Sequence, residues 1–217
     1  MQKSKLDEYA SLVHELAICS VSSNACNQYS YEHPSNAVRR NNLNLYLHQM
    51  ANRGPRTLLV GEAAGYLGCK LTGVPFTSEE ILLRGIAEFG LFGESRGYHI
   101  TSDSTQPCKE TTATIVWSVL KQAERLPLLW NTYPFHPFRA GKPFSNRTPN
   151  DSELTIGRPF LLTIISLFDI HTVVAVGKKS DSVLDSMGVT HHSVRHPSHG
   201  GKEEFASGVM HIIQRGV

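Results

Sequence analysis

The chain has 217 residues, 40% of them apolar and 18% charged, with a formal net charge of +2. Such a length accommodates one domain with a full core, and the apolar share excludes a disordered or fibrous class. No apolar run reaches the roughly 18 residues of a membrane span; the longest, Phe160 to Phe168, has polar interruptions.

The first residues, Met1-Gln2-Lys3-Ser4-Lys5-Leu6-Asp7, lack the apolar core of a signal peptide and predict a cytoplasmic protein. Leu6 to Ile18 then places Tyr9, Leu12, Val13, Leu16 and Ala17 at the spacing of an amphipathic helix. Ser20 to Ser35, rich in Ser and Asn, reads as a loop, and Ala37 to Met50 as a second helix that stops before Gly54-Pro55. Thr57-Leu58-Leu59-Val60 is a short apolar run between turn residues, which predicts a buried strand ending on Gly61. Gly61 to Pro75 holds too many glycines for a helix, and Thr77-Ser78-Glu79-Glu80 resembles an N-cap opening a helix that runs to Phe89. After an irregular connection from Gly90 to Cys108, Thr111 to Glu124 predicts a helix and Leu126 to Trp130 a second buried strand ending at Asn131.

A long loop leads to a helix over Asn150 to Phe168, with a weak point at Gly157 and Pro159. Val173 to Val176 predicts a third strand ending at Gly177, Ser180 to Met187 a helix, Thr190 to Val194 a fourth strand and Lys202 to Ile213 a last helix. Strands alternating with helices predict an α/β fold, a three-layer α/β/α sandwich around a central four-stranded, mostly parallel sheet. Residues 1–217 are expected to form one domain, with residues 1–55 as a helical region packed on it.

The four cysteines, Cys19, Cys26, Cys69 and Cys108, lie far apart and read as free thiols. An iron–sulfur cluster usually uses a short C-x₂-C pair, which the chain lacks. His191, His192, His196 and His199 invite a zinc reading, but a strand alternates faces, so His191 and His192 do not point at one ion. Neither a metal nor a cofactor is expected. Charge clusters locally: Arg139, Lys142, Arg147 and Arg158 surround a loop with few acids, and Lys178, Lys179, Arg195 and Lys202 fall near later strand ends, where phosphates could be met.

Val194-Arg195-His196-Pro197-Ser198-His199-Gly200-Gly201 puts a histidine on a Pro-containing turn between the fourth strand and the last helix. Together with Gly61-Glu62-Ala63-Ala64-Gly65 and Trp130-Asn131-Thr132, separate strand ends deliver an acid, an amide and an imidazole, the usual arrangement of a site in an α/β sheet. The ordered set of Gly-Glu-Ala-x-Gly, a Phe after a glycine-rich loop, a strand ending in Asn, a strand ending in Gly, and His-Pro-Ser resembles the uracil-DNA glycosylase superfamily. The resemblance spans Leu58 to Ile213.

It implies a monofunctional DNA glycosylase, acting as a monomer, that flips uracil or a related modified pyrimidine out of DNA and hydrolyses its bond to deoxyribose. By the same resemblance His196 stabilises charge on the departing base and Glu62 positions or activates water. Phe76, fifteen positions after Gly61, stacks on the base and Asn131 reads its edge, with Gly61, Ala63, Gly65 and Tyr66 completing the base-facing set. Ser198, His199, Arg195, Lys178 and Arg147 are the expected DNA contacts.

Four positions depart from the family pattern. Ala63 stands where familiar members carry Asp or Asn, Ala64 where they carry Pro, which loosens the expected loop, and Gly65 where strict uracil enzymes carry a tyrosine. The turn after His-Pro-Ser reads His199-Gly200-Gly201 in place of an apolar wedge, so His199, Arg195 or the loop from Arg139 to Arg147 is left to fill the gap opened by flipping. Three further readings stay open: an antiviral glycosylase that removes bulky 5-modified cytosine from phage DNA, a non-catalytic DNA-binding module, and a generic nucleotide-binding α/β protein.

Overall fold

A computed structural model of the chain describes residues 5–101 and 106–215. The apolar stripe of the first segment forms helix α1 (Lys5–Ile18) and buries Tyr9, Leu12, Val13, Leu16 and Ala17. A two-residue strand, β1 (Ala25–Cys26), follows where the sequence predicts only loop, and α2 (Asn36–Ala51) then packs on α1 through Leu43, Leu47 and Met50. Tyr46 of α2 reaches the sheet: its hydroxyl accepts the Leu129 N–H at 2.8 Å.

The central sheet begins with β2 (Thr57–Ala63), two residues longer than the apolar run indicates. The glycine-rich stretch after it is not wholly irregular, since Cys69–Thr72 closes one helical turn, α3. Ser78 caps α4 (Glu79–Arg84) as expected, accepting the Ile81 N–H, but α4 stops at Gly85 and a separate 3₁₀ turn covers Ala87–Phe89. Gly85 has φ 77°, a left-handed setting that a continuing helix does not permit. Helix α5 (Thr111–Leu120) is also shorter than the periodicity suggests.

Strand β3 (Leu128–Tyr133) is buried along its whole length and is followed by β4 (His136–Pro137), which pairs with β1 in a small antiparallel ribbon. Helix α6 (Asp151–Leu167) runs unbroken through Gly157 and Pro159. The predicted weak point is instead a tight contact: a Cβ at Gly157 would collide with the Thr132 carbonyl of β3. Strand β5 (Thr172–Val176), helix α7 (Lys178–Ser186), a three-residue strand β6 (His192–Val194) and α8 (Lys202–Arg215) complete the chain.

The sheet order is β3-β2-β5-β6 and every pairing is parallel. With this strand order, the right-handed rule for parallel crossovers assigns α6 and α7 to one face and the α3–α5 segment to the other; α6 packs on β3, α7 on β5, and α5 on α8. This is the predicted three-layer α/β/α arrangement. Register aligns Gly61 with Asn131 and Val176 with Val194, so the carboxyl ends of all four strands open on one edge.

Candidate active site

Strand ends and the loops that follow them enclose a cavity of about 330 Å³, within the range of small-molecule sites. Gly61, Glu62 and Ala63 from β2, Ala64 and Gly65 just after it, Phe76 from the glycine-rich loop, Asn131 from β3, and His196, Ser198 and His199 from the turn after β6 all line it.

Gly61 organises one wall of the cavity. A Cβ there would overlap the Phe76 ring and stand 2.6 Å from the Asn131 Oδ1. The strand end is therefore bare so that ring and amide can meet over it. Phe76 adopts φ 52°, a strained setting for an aromatic residue, and is held there by its carbonyl, which accepts the Trp117 Nε1–H at 3.0 Å. Asn131 is 4% exposed, and among the described residues its side chain makes no hydrogen bond. Its amide opens onto the cavity, where a ligand edge can pair with it in place of solvent.

The histidine side is equally constrained. Gly177, at the end of β5, has φ 88° and lies where a Cβ would press within 3.0 Å of the His196 Cβ. The Ser198 backbone N–H points at His196 Nδ1 from 3.2 Å. A backbone N–H only donates, so Nδ1 accepts and the neutral ring carries its proton on Nε2. Burial holds the His196 pKa below the ordinary value; Arg195 and His199 add to this, against the opposing pull of Glu110 and Glu62. The ring is thus an uncharged Nε2–H donor with its orientation set by the turn.

Glu62 is one-third exposed, but its Oε1 is shielded and has no hydrogen-bond partner among the described residues; the nearest cation, Lys179 Nζ, stands 3.4 Å away. Lys179 also donates to the Thr148 hydroxyl. Cys69 lines the cavity as well, but burial pushes its thiol up to about 12, which leaves it a poor nucleophile.

Several expected contacts lie elsewhere. Tyr66 is not among the residues that line the cavity, and its backbone N–H is held by Asn146 Oδ1 at 3.0 Å. Apart from its chain neighbours Ala64 and Tyr66, no heavy atom lies within 4 Å of a Cβ built at Gly65. Arg147 touches the wall, but the guanidinium is spent on the fold. It donates to the carbonyls of Asn24, Phe138 and Thr148 and clasps both oxygens of Glu153 at 2.8 Å, which accounts for all five N–H groups. No donor remains for a phosphate. Arg195 and Lys178 line an adjoining cavity of about 270 Å³, shared with Lys179, His199 and Ser198. The expected looseness at Ala64 is also corrected. Its N–H donates to the Phe135 carbonyl at 3.3 Å, a bond proline cannot make, and its carbonyl accepts from His136 Nδ1 at 2.8 Å.

Among the wall residues that escaped sequence reasoning are Glu110 and Asn146. Glu110 caps α5 through the Thr112 and Ala113 N–H groups, and nothing marks it, because Glu is not a preferred capping residue. Asn146 arrives on a long loop with no periodicity. His191, one of the candidate zinc ligands, bonds Asp181 at 3.0 Å and the Val189 carbonyl at 2.8 Å.

The sequence model of the uracil DNA glycosylase superfamily matches residues 48–211, well over half of the 217. The chain belongs to the uracil-DNA glycosylase superfamily. A comparison with curated proteins gives no match. Superfamily membership carries the broad class, an enzyme of the DNA glycosylase type with DNA as its partner. Among the described residues, no helix is long and apolar enough to cross a membrane.

Proposed function

We propose that this protein is a monofunctional glycosylase that hydrolyses the bond between deoxyribose and uracil, or a related modified pyrimidine, in DNA. The observation that carries this reading is the convergence at Gly61: an aromatic ring and an amide with no side-chain hydrogen bond among the described residues meet over one strand end, in the cavity that also holds Glu62 and His196. A flipped pyrimidine stacks on Phe76 while Asn131, with one donor and one acceptor, reads its edge.

As the C1′–N1 bond breaks, its electron pair moves into the base and charge gathers on O2. The His196 Nε2–H is the donor placed to stabilise it, without first losing a proton of its own. Water forms the new bond to C1′, and Glu62 takes its proton. The Lys179 amine is committed to Thr148 and Glu62, which supports hydrolysis over an amine-dependent lyase step. Ser198, His199, Arg195 and Lys178 line the cavity walls where the flanking phosphates are expected.

The vacancy at Gly65 favours one variant of this reading, a substrate carrying a substituent at C5 such as the modified cytosines of phage DNA. Gly65 has neither a left-handed backbone nor a close neighbour beyond Ala64 and Tyr66 to require glycine, which supports reading the missing side chain as room. The test is a glycosylase assay on duplexes containing uracil, mismatched thymine, hypoxanthine and 5-modified cytosines, with Gly65→Tyr beside the wild type. Excision by the wild type, lost in Glu62→Gln and His196→Ala, supports the reading. Loss of only the 5-substituted substrates in Gly65→Tyr assigns the room to the substituent, whereas activity on uracil alone sinks the modified-base variant. No excision of any base leaves the protein a DNA-binding module.

A further inference from the structure

The loop between β4 and α6 presents a side chain that the cavity does not use. Phe144 is 77% exposed, the most exposed large apolar residue among those described. A single exposed apolar side chain is ordinary on a protein surface, but the surroundings of this one are not. Its loop is tied into one shape: Lys142 N–H donates to the Arg139 carbonyl at 2.8 Å, Ser145 N–H and hydroxyl both donate to the Lys142 carbonyl, and Arg139 N–H donates to the Ser145 hydroxyl at 3.1 Å. The Arg147–Glu153 clasp anchors its trailing end.

The loop also borders the cavity. Asn146, two residues beyond Phe144, lines the wall and holds the Tyr66 N–H. Lys70, whose own N–H bonds Gly65, lies 5.2 Å over the Phe144 ring and donates to the Pro143 carbonyl at 3.3 Å. Exposed Arg139 and Lys142 flank the ring with positive charge. A rigid apolar tip among cations, beside a pocket sized for one base, matches what duplex distortion requires: cations on the phosphates and an apolar wedge between the bases. The turn after β6 offers no rival of that kind. His199 is polar, with its Nδ1 2.9 Å from the Ser198 hydroxyl, and Arg195 is charged.

We infer that Phe144 is the wedge that enters the duplex and fills the space vacated by the flipped nucleotide, an inference that rests on the glycosylase reading above. Because the ring is preorganised and makes no core contact, removing it changes the recognition of a gap and leaves the fold intact. Binding is measured on a duplex with a stable abasic analogue, on the same duplex intact, and on the abasic single strand. The wild type is expected to prefer the abasic duplex. Phe144→Ala should lose about tenfold on that duplex, the scale of one base–aromatic stack, with intact duplex and single strand unchanged and the melting temperature kept. Phe144→Leu should retain most of the preference.

An undiminished preference in Phe144→Ala overturns the inference, as does an equal loss on intact and abasic duplexes, which marks an unspecific contact. A wild type that ignores the gap overturns it as well. None of these measurements needs cleavage, so a protein that excises bases but fails here loses the wedge and keeps its activity. One that excises nothing loses the function of the preceding section on separate grounds.

Discussion

A methyl group at position 61 would strike both groups proposed to hold the base, the Phe76 ring and the Asn131 amide, while leaving the β2 ladder free to form. Gly61→Ala is therefore expected to lower kcat/KM by about 10²-fold, the penalty for misplacing a reacting partner by an ångström. Stability should fall only by the overpacking cost of roughly 1–3 kcal/mol. Steady-state kinetics set beside thermal melting separates the two effects, and a folded variant with wild-type kinetics would remove the base from this wall. His196 yields a second residue-scale prediction, on pH. Burial depresses its folded pKa below the ordinary value of about 6.5. Between the folded pKa and that value the unfolded chain binds the extra proton and the native chain does not. Stability from this group accordingly rises with pH across that window and is lost as the solution is acidified below it. NMR titration of the imidazole should give a midpoint below 6.5. A midpoint above it would mean that Glu62 and Glu110 outweigh burial, and that the ring enters the reaction as an imidazolium.

At the scale of elements, short apolar runs and caps were readable because their causes are local: β2, β5 and β6 need only neighbouring residues to be recognised, as does the Ser78 cap. The cavity's motif residues were legible for another reason, since Gly61, Phe76, Asn131 and His196 keep a fixed order along the chain. What stayed hidden depends on distant partners. The β1–β4 ribbon joins positions more than a hundred residues apart, Asn146 binds the Tyr66 N–H across eighty residues, and Arg147 belongs to Glu153. One local signal for that clasp was present: Asn150 and Glu153 stand at capping-box spacing and do form the box that opens α6. Burial alone would raise the Glu153 carboxyl, but hydrogen bonds from Arg147, Ser22 and the Asn150 N–H hold it below the ordinary range. Arg147→Ala strands this buried carboxylate and should cost about 3–5 kcal/mol in denaturant unfolding. The deficit should shrink as the pH falls and Glu153 takes up a proton. If Arg147 were instead a phosphate contact, the same variant would keep its stability and show a shallower salt dependence of DNA binding.

The whole molecule depends on chain that lies before the superfamily match. Residues 48–211 carry the match, yet α1, β1 and most of α2 precede it and share its core. Tyr9, Leu12, Val13 and Leu16 are all buried, and covering four such side chains contributes on the order of 6–12 kcal/mol. That is comparable with the entire net stability of a domain, about 5–15 kcal/mol. The same segment reaches the proposed DNA face. Ser22 donates to Glu153 at 2.7 Å, and the Asn24 carbonyl accepts from both Arg147 and the Phe138 N–H, the bonds that seat the loop bearing Phe144. Deleting residues 1–35 should consequently abolish the cooperative thermal transition followed by circular dichroism, rather than yield a stable core lacking an appendage. Ser22→Ala isolates the second role, because it spares the apolar face of α1. It should leave a cooperative fold while lowering stability by about 1–3 kcal/mol through the weakened clasp. A truncated chain that melts cooperatively within a few degrees of the full one would show instead that the first two helices are an independent addition, and that the sheet and its cavity are stable without them.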